Sequence, residues 1–146
     1  MSAYQTIVVG TDGSKSSLLA VQRAAAIAAA FEARLIIGCA FYDSEKSASE
    51  TLRQDSVQVL GDETAQANLA AAKEAAEAAG AGRVEAEVRS GSPVDALMAL
   101  VNEHGADLLV VGNRGINSLT GRLLGSVPAE VARQSDCDVM IVHTVN

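Results

Sequence analysis

DLLVVGNRGINSLTGRLLGSVP, residues Asp107 to Pro128, is the stretch on which the reading of the fold turns. A short aliphatic run gives way at once to glycines at 112, 115, 121 and 125, and a helical pattern resumes near Ser126. An uninterrupted apolar run of this length reads as a strand buried on both faces, as in a parallel sheet covered by helices. Glycines cost backbone entropy, so a cluster of them directly after such a strand needs a reason. Close approach of a ligand to the backbone is one; loop flexibility and helix packing are the other.

Working outward, four more runs read as strands: QTIVVGT from Gln5, RLIIGCAFY from Arg34, RVEAEVR from Arg83 and DVMIVHT from Asp138. Helical patterns lie between them. The first runs from about Ser14 to Phe31 with Leu18, Val21, Ala25 and Ala28 on one face, and an alanine-rich one runs from about Asp62 to Ala79 and stops at Gly80. The third opens on Ser92-Pro93-Val94-Asp95, where Ser92 can cap, proline fits the first helical position and Asp95 meets the positive end of the dipole. Leu97, Met98 and Val101 then face inward and Gly105 ends it; a fourth helix runs from Ser126 to about Gln134.

Strict βαβαβαβαβ alternation implies an α/β fold: one domain over residues 1–146, a three-layer sandwich whose five-stranded parallel sheet has helices on both faces and right-handed crossovers. The strand order expected is 3-2-1-4-5. The third run alternates Val84, Ala86 and Val88 with Glu85, Glu87 and Arg89, apolar on one face only, and reads as an edge strand. The polar, weakly patterned segment from Asp43 to Gln58 reads as a long loop.

Composition narrows the function. With 146 residues, 49% of them hydrophobic and only 3% aromatic, the chain suits a single domain with an aliphatic core. A formal charge of −7 and the lack of a basic run argue against binding nucleic acid. The start MSAYQTIVVG has no basic leader, and its apolar stretch is too short for a bilayer, which points to a cytoplasmic protein without a membrane partner. Cys39 and Cys137 lack metal-ligand or disulfide-framework spacing. VGTDGSKSS lacks the glycines of a nucleotide-triphosphate P-loop, and no strand is followed by GxGxxG. A phosphorelay receiver is excluded by Arg89-Ser90-Gly91 and His143-Thr144 where an acceptor Asp and a Lys would stand.

In open parallel sheets, ligands sit beyond the carboxyl ends of the strands where the strand order reverses. That rule brings Gly10-Thr11-Asp12-Gly13-Ser14 and Gly112-Asn113-Arg114-Gly115 to one crevice. Gly112 and Gly115 let backbone N–H groups converge, and Gly125-Ser126 adds donors at a helix start, which makes a phosphate site without a basic patch. Asp12 is an acceptor for ribose hydroxyls or a partner for a metal on the phosphates; the alternative is a turn residue capping the first helix.

TIVVGTDGS, VRSGSPVDAL, DLLVVGNRG, GRLLGSV and CDVMIV together resemble the universal stress proteins nearly end to end. Gly112, Gly115 and Gly125-Ser126 match the spacing of that family's ATP-binding subgroup: glycine, two residues, glycine, nine residues, Gly-Ser. The resemblance implies an adenine-nucleotide-binding stress-response regulator that is usually a homodimer. Its ligand would be ATP, with Mg2+ on the phosphates, or cyclic AMP. Carried over by position, the phosphates lie on Gly115, Gly125, Ser126 and Val127, the ribose between Asp12 and Gly112, and adenine near Thr11 and Ala40; Gly10, Val111, Asn113 and Arg114 complete the crevice. Asp138 stands where many relatives have proline, and Asn113 where small residues are common. The apolar strand from Asp138 to Thr144, outermost in the expected order, is the expected dimer surface. No catalytic or metal-binding residue is assigned: His104 and His143 read as structural, Ser126 lacks a triad partner, and slow ATP hydrolysis is the most enzymatic reading. A dimeric protein-interaction module is the alternative.

Overall fold

The computed structural model describes residues 3–41, 62–113 and 126–143. The loop expected over Asp43 to Gln58, and Arg114, Gly115 and Gly125 of the glycine cluster, lie outside the described residues. The strands are β1 (Thr6–Gly10), β2 (Arg34–Phe41), β3 (Arg83–Ser90), β4 (Leu108–Gly112) and β5 (Asp138–Val142). Among them run helices α1 (Lys15–Phe31), α2 (Asp62–Ala78), α3 (Pro93–His104) and α4 (Ser126–Gln134). Every strand pair is parallel and the order is β3-β2-β1-β4-β5, the order expected from the sequence.

Two strands are shorter than their apolar runs. β1 starts at Thr6 and not at Gln5, because the Asp107 carboxylate accepts the Gln5 N–H at 3.0 Å and caps the entry to the sheet. It ends at Gly10 and not at Thr11, although the Thr11 N–H still donates to the Gly38 carbonyl at 2.9 Å. β5 ends at Val142, and Thr144 lies outside the described residues.

Residues alternate between two cores because successive strand side chains point to opposite faces. Ile7, Val9, Leu35, Ile37, Leu108 and Val110 meet the alanines of α1 and α2. Val8, Ile36, Leu109 and Val111 meet Leu97, Leu100 and Val101 of α3 and Val131 of α4. Each fully buried Leu or Ile contributes about 1.5–3 kcal/mol through removal of apolar surface from water. Of the α3 residues expected to face inward, Leu97 and Val101 are buried, whereas Met98 is only half-buried and Leu100 takes the central place. The stripe on α1 likewise shifts: Ala20, Val21, Ala24, Ala25 and Ala28 are buried, and Leu18 is half-buried at its margin.

Local signals at the helix ends behave as their chemistry demands. The Ser92 hydroxyl accepts the Asp95 N–H at 3.1 Å, Pro93 opens α3, and Gly105 closes it at φ 62°. Glu32, without glycine's freedom, closes α1 at φ 56°, and its N–H bonds back to the last turn. At the β3 edge, Val84, Ala86 and Val88 pack on the α1/α2 core while the charged residues form ion pairs toward α3.

Candidate functional site

The site follows from the chain's change of direction. From β1 the chain passes through α1 to β2, on one face; from β4 it passes to α4, which packs on the opposite face. β1 and β4 are neighbours, with Val9 opposite Val110, so Gly10 to Asp12 and Val111 to Asn113 share the carboxyl end of the sheet at its switch point.

The turn after β1 is built from its own side chains. Thr11 and Ser17 are buried, 7% exposed each, with their hydroxyls 3.0 Å apart. Ser17 Oγ accepts the Asp12 N–H at 3.3 Å, Thr11 Oγ1 accepts the Gly13 N–H at 3.2 Å, and Asp12 Oδ1 accepts the Ser14 N–H at 2.9 Å. The Ser14 hydroxyl in turn caps α1 by accepting the Ser17 N–H at 3.1 Å. The helix cap is therefore Ser14, and Asp12 makes the tighter turn that precedes it. Every backbone N–H from Thr11 to Ser14 is committed, so these four residues offer no nest of donors to a phosphate. What it offers is the Asp12 carboxylate. Two carboxylate oxygens accept up to about four hydrogen bonds, so the Ser14 bond orients the group without exhausting its capacity as an acceptor.

The negative charge of Asp12 is felt nearby. Burial, and secondarily Asp12, push the Cys39 thiol up to about 11, so Cys39 is a neutral core residue and not a nucleophile at ordinary pH.

The structure separates the glycines of this end of the sheet by purpose. A Cβ on Gly10 would lie 3.0 Å from Leu97 Cδ2, and one on Gly38 would lie 2.3 Å from Leu100 Cδ1. Gly10, assigned to the ligand from sequence, thus has a packing reason of its own. Gly13 is required by conformation, at φ 86°.

On the other side, Val111 is 4% exposed with its side chain in the α3/α4 core, so a ligand could meet only its backbone. Gly112 pairs with Val142, and the Asn113 N–H donates to the Val142 carbonyl at 2.9 Å, which extends the ladder by one bond. The Asn113 side chain is 2% exposed. Ser126, exposed, opens α4; Val127 is half-buried against the α3/α4 core, and buried Pro128 contributes no N–H to the first turn. Ala40 is half-buried on β2, opposite Arg89.

Two features were not read from sequence. Ser17 is the hub of the turn, and the spacing of Thr11, Ser14 and Ser17 in TDGSKSS was its only signal. His104, beyond sitting at the end of α3, has Nδ1 3.3 Å from Arg34 Nη2 and Nε2 2.7 Å from Glu87 Oε2. The Glu87 approach is close but lacks the alignment of a hydrogen bond. This ring braces β2, β3 and α3 away from the crevice. Among the described residues no group of three or more His, Cys, Asp or Glu side chains is placed to hold a metal, and no helix is long and apolar enough to cross a membrane.

Residues 3–143 match the model of the Universal stress protein family. The chain belongs to the universal stress protein family. It is 52% identical over 146 residues to a universal stress protein of Mycobacterium tuberculosis, covering 99% of both chains. It is 51% identical to a universal stress protein whose crystal structure was solved in complex with cAMP, with a TM-score of 0.77 over 99% of this chain and 100% of that one. The fold is shared more widely: a Lactobacillus plantarum universal stress protein, 23% identical, superposes with a TM-score of 0.78 over 97% of this chain and 99% of the other.

Proposed function

We propose that this universal stress protein is a regulatory protein that binds an adenine nucleotide in the crevice between the β1–α1 turn and the segment joining β4 to α4. The observation that carries the proposal is the commitment of every turn N–H from Thr11 to Ser14, which leaves the Asp12 carboxylate as the functional group on that side. A carboxylate set in a turn whose own N–H groups are committed suits ribose hydroxyls and repels phosphate. The phosphate then belongs on the glycine-rich side, with Gly112, Gly115, Gly125, Ser126 and Val127 as backbone donors and spacers. Adenine lies toward Thr11 and Ala40.

The 51% identical relative solved with cAMP favours cyclic AMP as the ligand. The Gly112, Gly115 and Gly125-Ser126 spacing favours ATP, with Mg2+ carried on the phosphates. Thermal melts of the protein with cyclic AMP, ATP plus magnesium, AMP and a flavin nucleotide decide between them. A ligand present at about a hundred times its dissociation constant raises stability by about 2.7 kcal/mol, which is a shift of several degrees. Gly115→Val, which puts a branched side chain where a phosphate would meet backbone, is expected to abolish that shift. A wild-type melt unmoved by every adenine nucleotide overturns the proposal.

The second part of the proposal is a homodimer through β5. Paired only with β4 among the described residues, β5 is an open edge. Its apolar side chains are only partly exposed, with Val139 and Ile141 packed on the α3/α4 core and Met140 on the other, so pairing would rest chiefly on the strand backbone. Sedimentation equilibrium is expected to give twice the chain mass, and a monomer at all concentrations contradicts this part alone.

A further inference from the structure

Helix α2 is built mainly of alanine, and one of its residues is not explained by packing on the sheet. Ala65, Leu69, Ala72 and Ala76 form its buried stripe. Asn68 stands beside that stripe, half-buried, although asparagine is a poorer helix former than the alanines around it. Its amide lies against the turn after β1. A Cβ added to Gly13 would fall 2.6 Å from Asn68 Nδ2, 2.8 Å from Cγ and 2.8 Å from Oδ1. Three nearly equal distances mean that the flat face of the amide, not one edge, covers Gly13. Among the described residues no hydrogen bond engages the edge of that amide, so the face contact is what places it.

The turn is held from the α1 side as well, since Ser17 Oγ accepts the Asp12 N–H and lies 3.0 Å from Thr11 Oγ1, which in turn accepts the Gly13 N–H. The turn is thus fixed between α1, through hydrogen bonds, and α2, through the Asn68 amide. Any side chain at position 13 would displace the amide, and φ 86° already disfavours one.

We propose that Asn68 is a positioning residue of the nucleotide site: its amide plane clamps Gly13 and so keeps the neighbouring Asp12 carboxylate turned toward the ribose hydroxyls. The proposal rests on the nucleotide reading of the crevice and adds α2 to the elements that shape it. Asn68 acts through the turn and need not touch the ligand.

The test compares calorimetric affinities for cyclic AMP and ATP with those for their 2′-deoxy counterparts, in wild type, Asn68→Ala and Asn68→Asp. A hydrogen bond from the ribose to a charged acceptor gives the wild type a preference of roughly tenfold or more for the ribonucleotide. Asn68→Ala is expected to bring that preference to within about threefold with little change in the apo melting temperature. Asn68→Asp keeps a planar group on Gly13, so it retains the preference even where its added charge weakens both members of a pair. An unchanged preference in Asn68→Ala overturns the proposal, as does an Asn68→Asp protein that loses the preference as fully as Asn68→Ala. A wild type that binds none of the four nucleotides is a different result, which overturns the nucleotide reading beneath it.

Discussion

The two faces of the sheet are packed by different means. On one, α1 and α2 present mainly alanines, so the strands beneath can carry Ile7, Val9, Leu35, Ile37, Leu108 and Val110. On the other, α3 presents Leu97 and Leu100, and the strands beneath must fall back to glycine at positions 10 and 38. Bulk is conserved across each interface, supplied by the strand on one face and by the helix on the other. The difference teaches which glycines serve packing. Gly10 and Gly38 make room for leucines, whereas Gly13 is fixed by a left-handed backbone and an amide laid over it.

The leucine face should be the more sensitive to truncation. Leu100→Ala removes a fully buried side chain and opens a cavity over β2, with an expected loss of about 2–5 kcal/mol in denaturant melts. A loss below about 1 kcal/mol would show that the face is loosely packed. Next comes Gly38→Ala, whose Cβ meets Leu100 Cδ1 at 2.3 Å, for about 1–3 kcal/mol of overpacking. Combined in one chain, the two changes should cost less than their sum, because the shortened residue 100 removes the collision. Strict additivity would mean that the Leu100 contact is not the reason for Gly38.

Ser17→Ala bears on the alanine face where it meets the crevice. It strands the Asp12 N–H and takes one of two partners from the Thr11 hydroxyl, for about 1 kcal/mol, and it should weaken nucleotide binding as well because Asp12 loses its support. The smallest effect is expected at the charged β3 edge. Hydrogen bonding to Arg89 holds the exposed Glu103 carboxyl below its usual 4.5, opposed by desolvation. A carboxyl whose folded pKa is depressed contributes stability that is full above its unfolded pKa and is lost as pH falls through the folded value. The difference in melting temperature between wild type and Glu103→Gln should therefore be small at neutral pH and vanish in acid. A difference that grows in acid would contradict the assigned pairing.

The β3 edge and the ends of α3 were legible in the sequence because their causes are local: alternation in Val84 to Arg89, and Ser92, Pro93 and Gly105 at fixed offsets. The reasons for Gly10 and Gly38 were not, since the leucines that require them lie far along the chain and meet them only after folding. Helical periodicity named Leu97 and Val101 on the buried side of α3 but chose Met98 where Leu100 fills the core. At the site, Asp12 was legible as a turn residue or a ligand acceptor, and both readings draw on the same carboxylate. The network that commits the N–H groups of the turn was hidden, because side-chain hydroxyls such as those of Thr11 and Ser17 give no periodic signal.

The central claim is that Asp12 receives the ribose of an adenine nucleotide at the switch point between β1 and β4. Isothermal titration of cyclic AMP, and of ATP with magnesium, into wild type and Asp12→Asn tests it most directly. The substitution keeps the side-chain oxygen that accepts the Ser14 N–H, so the turn survives, and replaces only the charged acceptor. The account predicts saturable binding to the wild type and roughly a tenfold or greater loss of affinity in Asp12→Asn, the worth of a hydrogen bond to a charged group. Equal affinity in the two proteins, each melting at the same temperature, would contradict it.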